Sequence, residues 1–475
     1  MGTDVEAQFL SKPVQDKWPY LVMGFFFLNF IVKSLPIFRG IMIHPDAPVY
    51  LWSAQALGAG NVQGAIAAYP MLFYPFLIML VHKLGVDWLW AGRLISVTAS
   101  CFALLPFMAI ARKFSKGWPL VFVTLLFILL PSYNFRAYAV LRDPLYISLT
   151  LCCLYYALQF LEDKSLKTFF VVMCFSFFLP LLRIEGVVTA LLVDSWCLVL
   201  LLWSPEKNKK FIALLLLVVT AALLCFLFYS DTFSSLVRLQ SVTYLFDKLS
   251  SGQLSVQSCL KALDDLQHSL PASTFGNNFW QVIQRHWPWI YFIGMLYVIV
   301  KILGWPVLVL SSVGLVTVFR QIEFRKMFLV SVFAGQILCM MLFYLFSGFL
   351  EVRFMLLPAI LLLFFFLFSL EAVFDFLYEK VGRFFSFKRK HFLIVFSCFL
   401  VLPFAYDSLF HKYRTHIPLL EEACLWIKSE ILKEGGGEWF VGGNARRMAW
   451  FLDREDMQQP VGKIGYDDIE KRFSK

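Results

Sequence analysis

Four carboxylates and three arginines sit in the few polar breaks of an otherwise apolar chain. In "IHPDAPVYLWSAQAL", residues 43–57, Asp46 follows His44 and lies between Pro45 and Pro48. The prolines restrict the backbone on either side of the carboxylate. "VLRDPLY" carries Arg142 and Asp143, "LLRIEGV" carries Arg183 and Glu185, and "FLEVRFMLLP" carries Glu351 and Arg353. A guanidinium fork matches the oxygens of a phosphate or diphosphate. A carboxylate suits sugar hydroxyls and proton abstraction. Each pair taken alone also reads as a local ion pair that pins a helix end, and Asp46 alone reads as a helix N-cap, a position where Asn serves about as well. Three pairs and Asp46 on one side of a membrane favour a site.

The elements that must position these residues follow from composition. The chain has 475 residues, 60% hydrophobic and 18% aromatic, with 53 phenylalanines and only 16% charged residues. Soluble domains carry about 25% charge, and apolar stretches of about 20 residues mark membrane spans. Eleven apolar runs are spans: 19–38, 88–110, 118–136, 144–161, 168–182, 186–203, 211–230, 305–319, 327–346, 354–374 and 392–410. Seventeen mostly polar residues precede the first, with no small-residue cleavage site after it, so it reads as an uncleaved helix rather than a signal peptide.

Alternate connections are basic: Lys12 and Lys17; Arg112, Lys113 and Lys116; Lys164 and Lys167; Lys207, Lys209 and Lys210; Arg320, Arg325 and Lys326; and the cluster from Lys380 through Arg383 and Lys388 to Lys390. Positive residues favour the cytoplasmic side. The N-terminus is therefore expected inside and the C-terminal tail outside. The net charge of +10 is explained by this topology, and no nucleic-acid partner is needed. Two further runs, 69–85 and 287–303, would break the alternation if they spanned. Their Trp, Tyr, His and Lys content suits helices at the outer interface.

The expected organisation is a transmembrane domain over 1–410, with outer loops 39–87 and 231–304, and a small outer α/β appendage over 411–475. The ten cysteines form no CxxC pair and no zinc spacing. Cys259 and Cys424 both fall in outer segments, which leaves a bridge between them open. There is no P-loop and no GxGxxG in a nucleotide-binding context.

The ordered set of motifs resembles the GT-C fold membrane glycosyltransferases, in particular the bacterial branch of protein O-mannosyltransferases and lipid A aminoarabinose transferases. "HPDAPVYLWSAQAL" resembles that family's first-loop acidic motif, and "AYAVLRDPLYISL" its second. "YPMLFYPFLIMLVHKLG" followed by "AGRLISVTAS" resembles its proline-containing interfacial helix and next span. "LPLLRIEGVV" resembles its L-x-R-x-E-G turn, and "WPWIYFIGMLYVIVKILGWPVLVLSSVGL" the aromatic helix of its second large loop. "EVRFMLLPAILLL" resembles its R-Y-x-x-P span entry, and "EEACLWIKSEI" its outer tail. The sequence departs from the pattern in two places. Ala47 follows Asp46 where many members have Glu, and Phe354 stands where Tyr is usual.

The resemblance implies an all-α polytopic bundle of about eleven helices in the bacterial inner membrane. It implies transfer of a sugar from a polyprenyl-phosphate donor, undecaprenyl in bacteria, to a hydroxyl of a lipid-linked glycan, lipid A core or protein at the outer face. Asp46 would be the general base. Asp143, Glu185, His44, Tyr50 and Tyr69 would contact substrate, and Arg353, Arg183 and Arg142 would hold the donor phosphate. No cofactor is required, and a divalent metal is left open. Two rival readings are a flippase or transporter and an O-antigen polymerase or ligase, all acting on lipid-linked glycans. Against a transporter, no internal repeat is evident, and only Asp194 sits at mid-span.

Overall fold

The computed structural model describes residues 18–36, 44, 46–203, 277–321, 323–347, 350–382 and 388–410. The expected span at 211–230, most of the second outer loop, the tail with its α/β appendage, and Cys259 and Cys424 lie outside the described residues.

The described chain folds into helices, as its long apolar runs require. A backbone in hydrocarbon must satisfy its own N–H and C=O groups. In order they are α1 (Trp18–Ser34), α2 (Ala47–Gly58), α3 (Val62–Ala68), α4 (Phe73–His82), α5 (Trp88–Phe102), α6 (Leu104–Phe114), α7 (Trp118–Ile128), α8 (Pro131–Ala137), α9 (Asp143–Asp163), α10 (Leu166–Leu182), α11 (Glu185–Leu202), α12 (Asn277–Gln321), α13 (Phe324–Ser347), α14 (Leu356–Leu377) and α15 (Arg389–Phe410). Among the described residues seven segments are long and apolar enough to cross a membrane. An eighth is the pair α7–α8, bent by 51°. α1 and α10 are apolar but only 17 residues each. The protein is an all-α polytopic membrane protein, and ten of the eleven expected runs coincide with helices.

The run 69–85 contains only the ten-residue α4, about 15 Å long, too short to cross. The run 287–303 differs from expectation, because it is continuous with the next run in the single 45-residue α12. Gly304 there has φ 72°, and Pro306 lacks a donor, so the sequence carries a break signal. Packing on α14 continues past it. The Ser369 hydroxyl donates to Leu310 O at 2.7 Å, and a Cβ on Gly314 would collide with the Phe365 carbonyl oxygen. Glycine thus lets the two backbones approach closely. α14 forms the centre of the bundle, with Phe364, Phe365 and Phe366 fully buried.

The bend between α7 and α8 leaves carbonyls without helical partners. Asn134 donates to Ile128 O at 3.0 Å and to the Ser408 hydroxyl at 2.7 Å. Ser408 in turn donates to Leu129 O at 2.7 Å. Lys33, fully buried, donates to Asn134 Oδ1 and lies 4.1 Å from the Tyr133 ring centre. One polar cluster therefore ties α1, α8 and α15 together across the break.

Charges separate the two ends of the bundle. At one end Lys113 pairs with Glu162 at 2.6 Å, Arg325 pairs with Glu162 at 3.0 Å, and Arg112 lies over Trp18 at 4.3 Å. These residues come from connections expected on the same side. Asp46, Arg142, Arg183 and Arg353 gather at the other end.

Replacing Asn134 by Leu removes the hydrogen-bond acceptor that the buried Lys33 has among the described residues and frees the Ile128 carbonyl. The expected loss is about 3 kcal/mol, since a buried charged group is left unsatisfied. Thermal unfolding in detergent should show a clearly larger drop for Asn134→Leu than for Ser408→Ala.

Candidate functional site

Asp46 precedes α2 at the N-cap position, yet its side chain makes no capping hydrogen bond. The carboxylate instead pairs with Arg353, 307 residues away in sequence. The capping reading of Asp46 therefore fails. His44 lies beside it: its Nδ1 accepts from the Asp46 amide at 3.2 Å and stands 3.8 Å from the carboxylate. Burial works to raise the Asp46 pKa. The charge and hydrogen bond of Arg353, with smaller contributions from His44 and Arg142, more than offset it and hold the carboxyl below its ordinary value. Arg353 also pairs with Glu351. Burial tends to lower its pKa, and the two carboxylates more than offset that, so it stays charged.

The second cluster is deeper. Arg183 leaves the end of α10 in extended conformation, φ −148° and ψ 144°, and Glu185 opens α11. The turn needs glycine at 186, because a Cβ there would collide with the Leu179 carbonyl. Arg183 reaches Glu185 with two bonds, Nη2 to Oε1 at 2.7 Å and Nε to Oε2 at 3.2 Å, and Asp143 through Nη1. All three side chains are nearly inaccessible. Asp143 Oδ2 has no hydrogen-bond partner among the described residues. Gln336 on α13 fixes the turn by donating to Glu185 O at 3.3 Å and to Thr189 at 2.6 Å. Sequence reasoning missed Gln336. The available signal was an amide side chain inside the apolar run "FAGQILCM", where polar groups face the bundle.

Phe354 joins the two clusters. Its ring centre is 5.0 Å from the Arg183 guanidinium and 5.1 Å from that of Arg353. A ring between two cations attracts both. The Phe-for-Tyr departure therefore leaves this contact intact.

Arg142 differs from the other two. It donates to Leu182 O at 2.6 Å, touches Met71 sulfur and lies 5.2 Å from the Tyr69 ring. It pairs with no carboxylate among the described residues. Burial disfavours its charge, and Tyr69, Tyr50, Glu185 and Asp46 more than offset this. Tyr50 is buried edge-on against Tyr69 at 4.8 Å and Tyr74 at 5.3 Å. Burial first, then neighbouring Tyr69, pushes its phenol well above the ordinary value.

All nine residues expected at a site thus lie in one region: Asp46, His44 and Arg353; Asp143, Arg183 and Glu185; and Arg142 with Tyr50 and Tyr69. The cavity between Asp143, Arg183, Glu185 and Arg353 measures about 10 Å³, room for about one water. Among the described residues no group of three or more His, Cys, Asp or Glu is arranged to hold a metal ion. Asp194 lies nine residues after Glu185 on α11, about 14 Å at the helical rise, and accepts a hydrogen bond from Ser176 at 2.8 Å.

Fold and site define a polytopic helical membrane protein with a closed cluster of arginines and carboxylates at one end of its bundle. No protein-family model and no curated protein matches the chain. Among solved structures it is similar to ArnT from Cupriavidus metallidurans in the apo state, with 13% identity, a TM-score of 0.35, and coverage of 93% of this chain and 75% of that one.

Removing Arg183 would leave two buried carboxylates uncompensated. Arg183→Gln should destabilise the protein by about 3–5 kcal/mol, read as a large fall in its unfolding temperature in detergent. Arg353→Gln, at the more open cluster, should cost much less.

Proposed function

We propose that the chain is a membrane glycosyltransferase that moves a sugar from a polyprenyl-phosphate donor to a hydroxyl of a lipid-linked glycan, lipid A core or protein. The observation that carries this reading is the meeting of Asp46 with Arg353, beside a third arginine, Arg142, that no carboxylate among the described residues holds. A base and cations for an anionic leaving group lie within one cluster, as glycosyl transfer from a phosphate requires.

Asp46 takes the proton from the acceptor hydroxyl. The oxygen attacks the anomeric carbon, the bond from that carbon to the phosphate oxygen breaks, and polyprenyl phosphate leaves with the electron pair. Arginines stabilise the charge that develops on it. Arg142 is the cation ready for the phosphate. Arg353 is shared: a phosphate that engages it competes with Asp46 and releases the carboxylate to act as base. Arg183, held by two carboxylates, positions Asp143 and Glu185 toward sugar hydroxyls, and Tyr50, Tyr69 and His44 frame the reacting groups. The site faces away from the cytoplasm, on the reading that the basic connections lie on the cytoplasmic side of the bacterial inner membrane. A reporter active only in the cytoplasm, fused after Lys475, should be silent; a bright signal would reverse the orientation.

The purified full chain, given a polyprenyl-phosphate monosaccharide and an acceptor extract, should release free polyprenyl phosphate. Movement of an intact donor across the bilayer without release would mark a flippase instead. Asp46→Asn keeps size and loses the base, so turnover should fall at least ~10²-fold with folding and donor binding retained. Near-normal turnover would remove Asp46 from the chemistry. Arg353→Gln removes the largest influence that lowers the Asp46 pKa, leaving burial, which raises it, opposed only by the smaller effects of His44 and Arg142. A general base works deprotonated, so the acid limb of the pH–rate profile should move to higher pH; an unmoved limb would mean that the base is another group.

A further inference from the structure

The charged cluster has room for about one water, whereas a cavity of about 820 Å³ opens elsewhere on the same first loop. Gln55, Gly58, His82, Lys83, Asp87 and Trp88 line it, at the end of α2, the end of α4 and the start of α5. Its size falls in the range of small-molecule sites.

The floor is built by close packing. The His82 and Trp88 rings stack at 3.6 Å, and a Cβ on Gly58 would sit 3.1 Å from the Trp88 ring. His82 Nδ1 lies 2.7 Å from Val86 O. A carbonyl only accepts, so the proton is on Nδ1 and Nε2 is left as an acceptor. Asp87 uses Oδ1 to cap the amides of Leu89 and Trp90 at 2.9 and 3.3 Å, which leaves Oδ2. The Gln55 amide and the Lys83 ammonium make no side-chain hydrogen bond among the described residues. The neighbouring surface of α4 and α5 is apolar: Leu84 is 83% exposed, and Phe76, Leu80, Trp90 and Leu94 are also exposed. Such a surface belongs at lipid level, which sets the adjoining pocket near the depth of the headgroups.

We infer that this pocket binds the hydroxyl-rich sugar headgroup of a membrane glycolipid. Its one ammonium and one carboxylate balance, so it carries no charge to draw a phosphate. Its free groups mix donors with acceptors, as sugar hydroxyls require. Gln55 lies nine residues after Asp46 along α2, about 14 Å at the helical rise. The pocket therefore lies one short glycan away from the proposed base. Its role as an acceptor subsite rests on the transferase reading; the binding itself does not.

Native mass spectrometry of the purified full chain, without any donor, tests binding separately from turnover. The probes are glucosyl diacylglycerol, phosphatidylglycerol and phosphatidylcholine. The glucosyl lipid should be retained about fivefold or more over either phospholipid, the equivalent of one net hydrogen bond. Ala59→Trp, which fills the cavity from an exposed position, should abolish the preference. Should that variant unfold, Gln55→Ala should weaken it, as should Asp87→Asn, which keeps the helix cap. Equal retention of the three lipids overturns the inference. So does a preference that survives these variants, or one for phosphatidylglycerol that Lys83→Ala removes.

Discussion

Buried charge is the constraint on which the site end of this protein depends. A guanidinium taken out of water is tolerable only where carboxylates meet it with good geometry. Arg183 meets that condition with Asp143 and Glu185 together, and in doing so fixes the start of α9 relative to the turn between α10 and α11. Gln336 extends the same network to α13. Phe354 then carries it to Arg353 and, through that residue, to Asp46 on the first loop. Five separate stretches of chain are held by one connected set of polar contacts, and the apolar helices behind them need only supply a stiff frame.

That arrangement divides labour among three similar residues. Arg183 is saturated by two buried carboxylates, Arg353 is shared between the more open Asp46 and Glu351, and Arg142 has no carboxylate partner among the described residues. The gradation comes from helix geometry. Arg142 caps α9 and Asp143 is its first residue, so their side chains leave the helix in different directions. Asp143 turns to Arg183, and Arg142 turns to the tyrosines.

The same geometry marks how far the sequence could be read. Hydropathy located the helices, and the alternation of Lys and Arg sorted their ends, because both signals are local and summed over many residues. The polar breaks were legible as a site because so few polar residues exist to choose from. Partner choice was legible only in part: Arg183 with Glu185 and Arg353 with Glu351 pair as sequence neighbours. Sequence neighbours suggested Arg142 with Asp143, while the folded pairing crosses helices, and nothing near Asp46 announces a partner 307 residues away. The Lys33, Asn134 and Ser408 cluster was hidden for the same reason, since its members lie in three separate runs far apart in sequence. The boundary at Gly304 was misplaced because contact with α14 outweighs a local break signal.

α12 has a mechanical consequence. It draws level with the site where the Tyr291 ring packs 4.7 Å from Tyr344, next to Phe343, itself 4.9 Å from Phe354. Residues 277–290 continue beyond that level for about 20 Å. On the other side of it Met295, Val298, Ile302 and Leu303 are buried in the bundle. A push along the helix axis would thus be delivered toward Phe354, the ring that lies between two arginines.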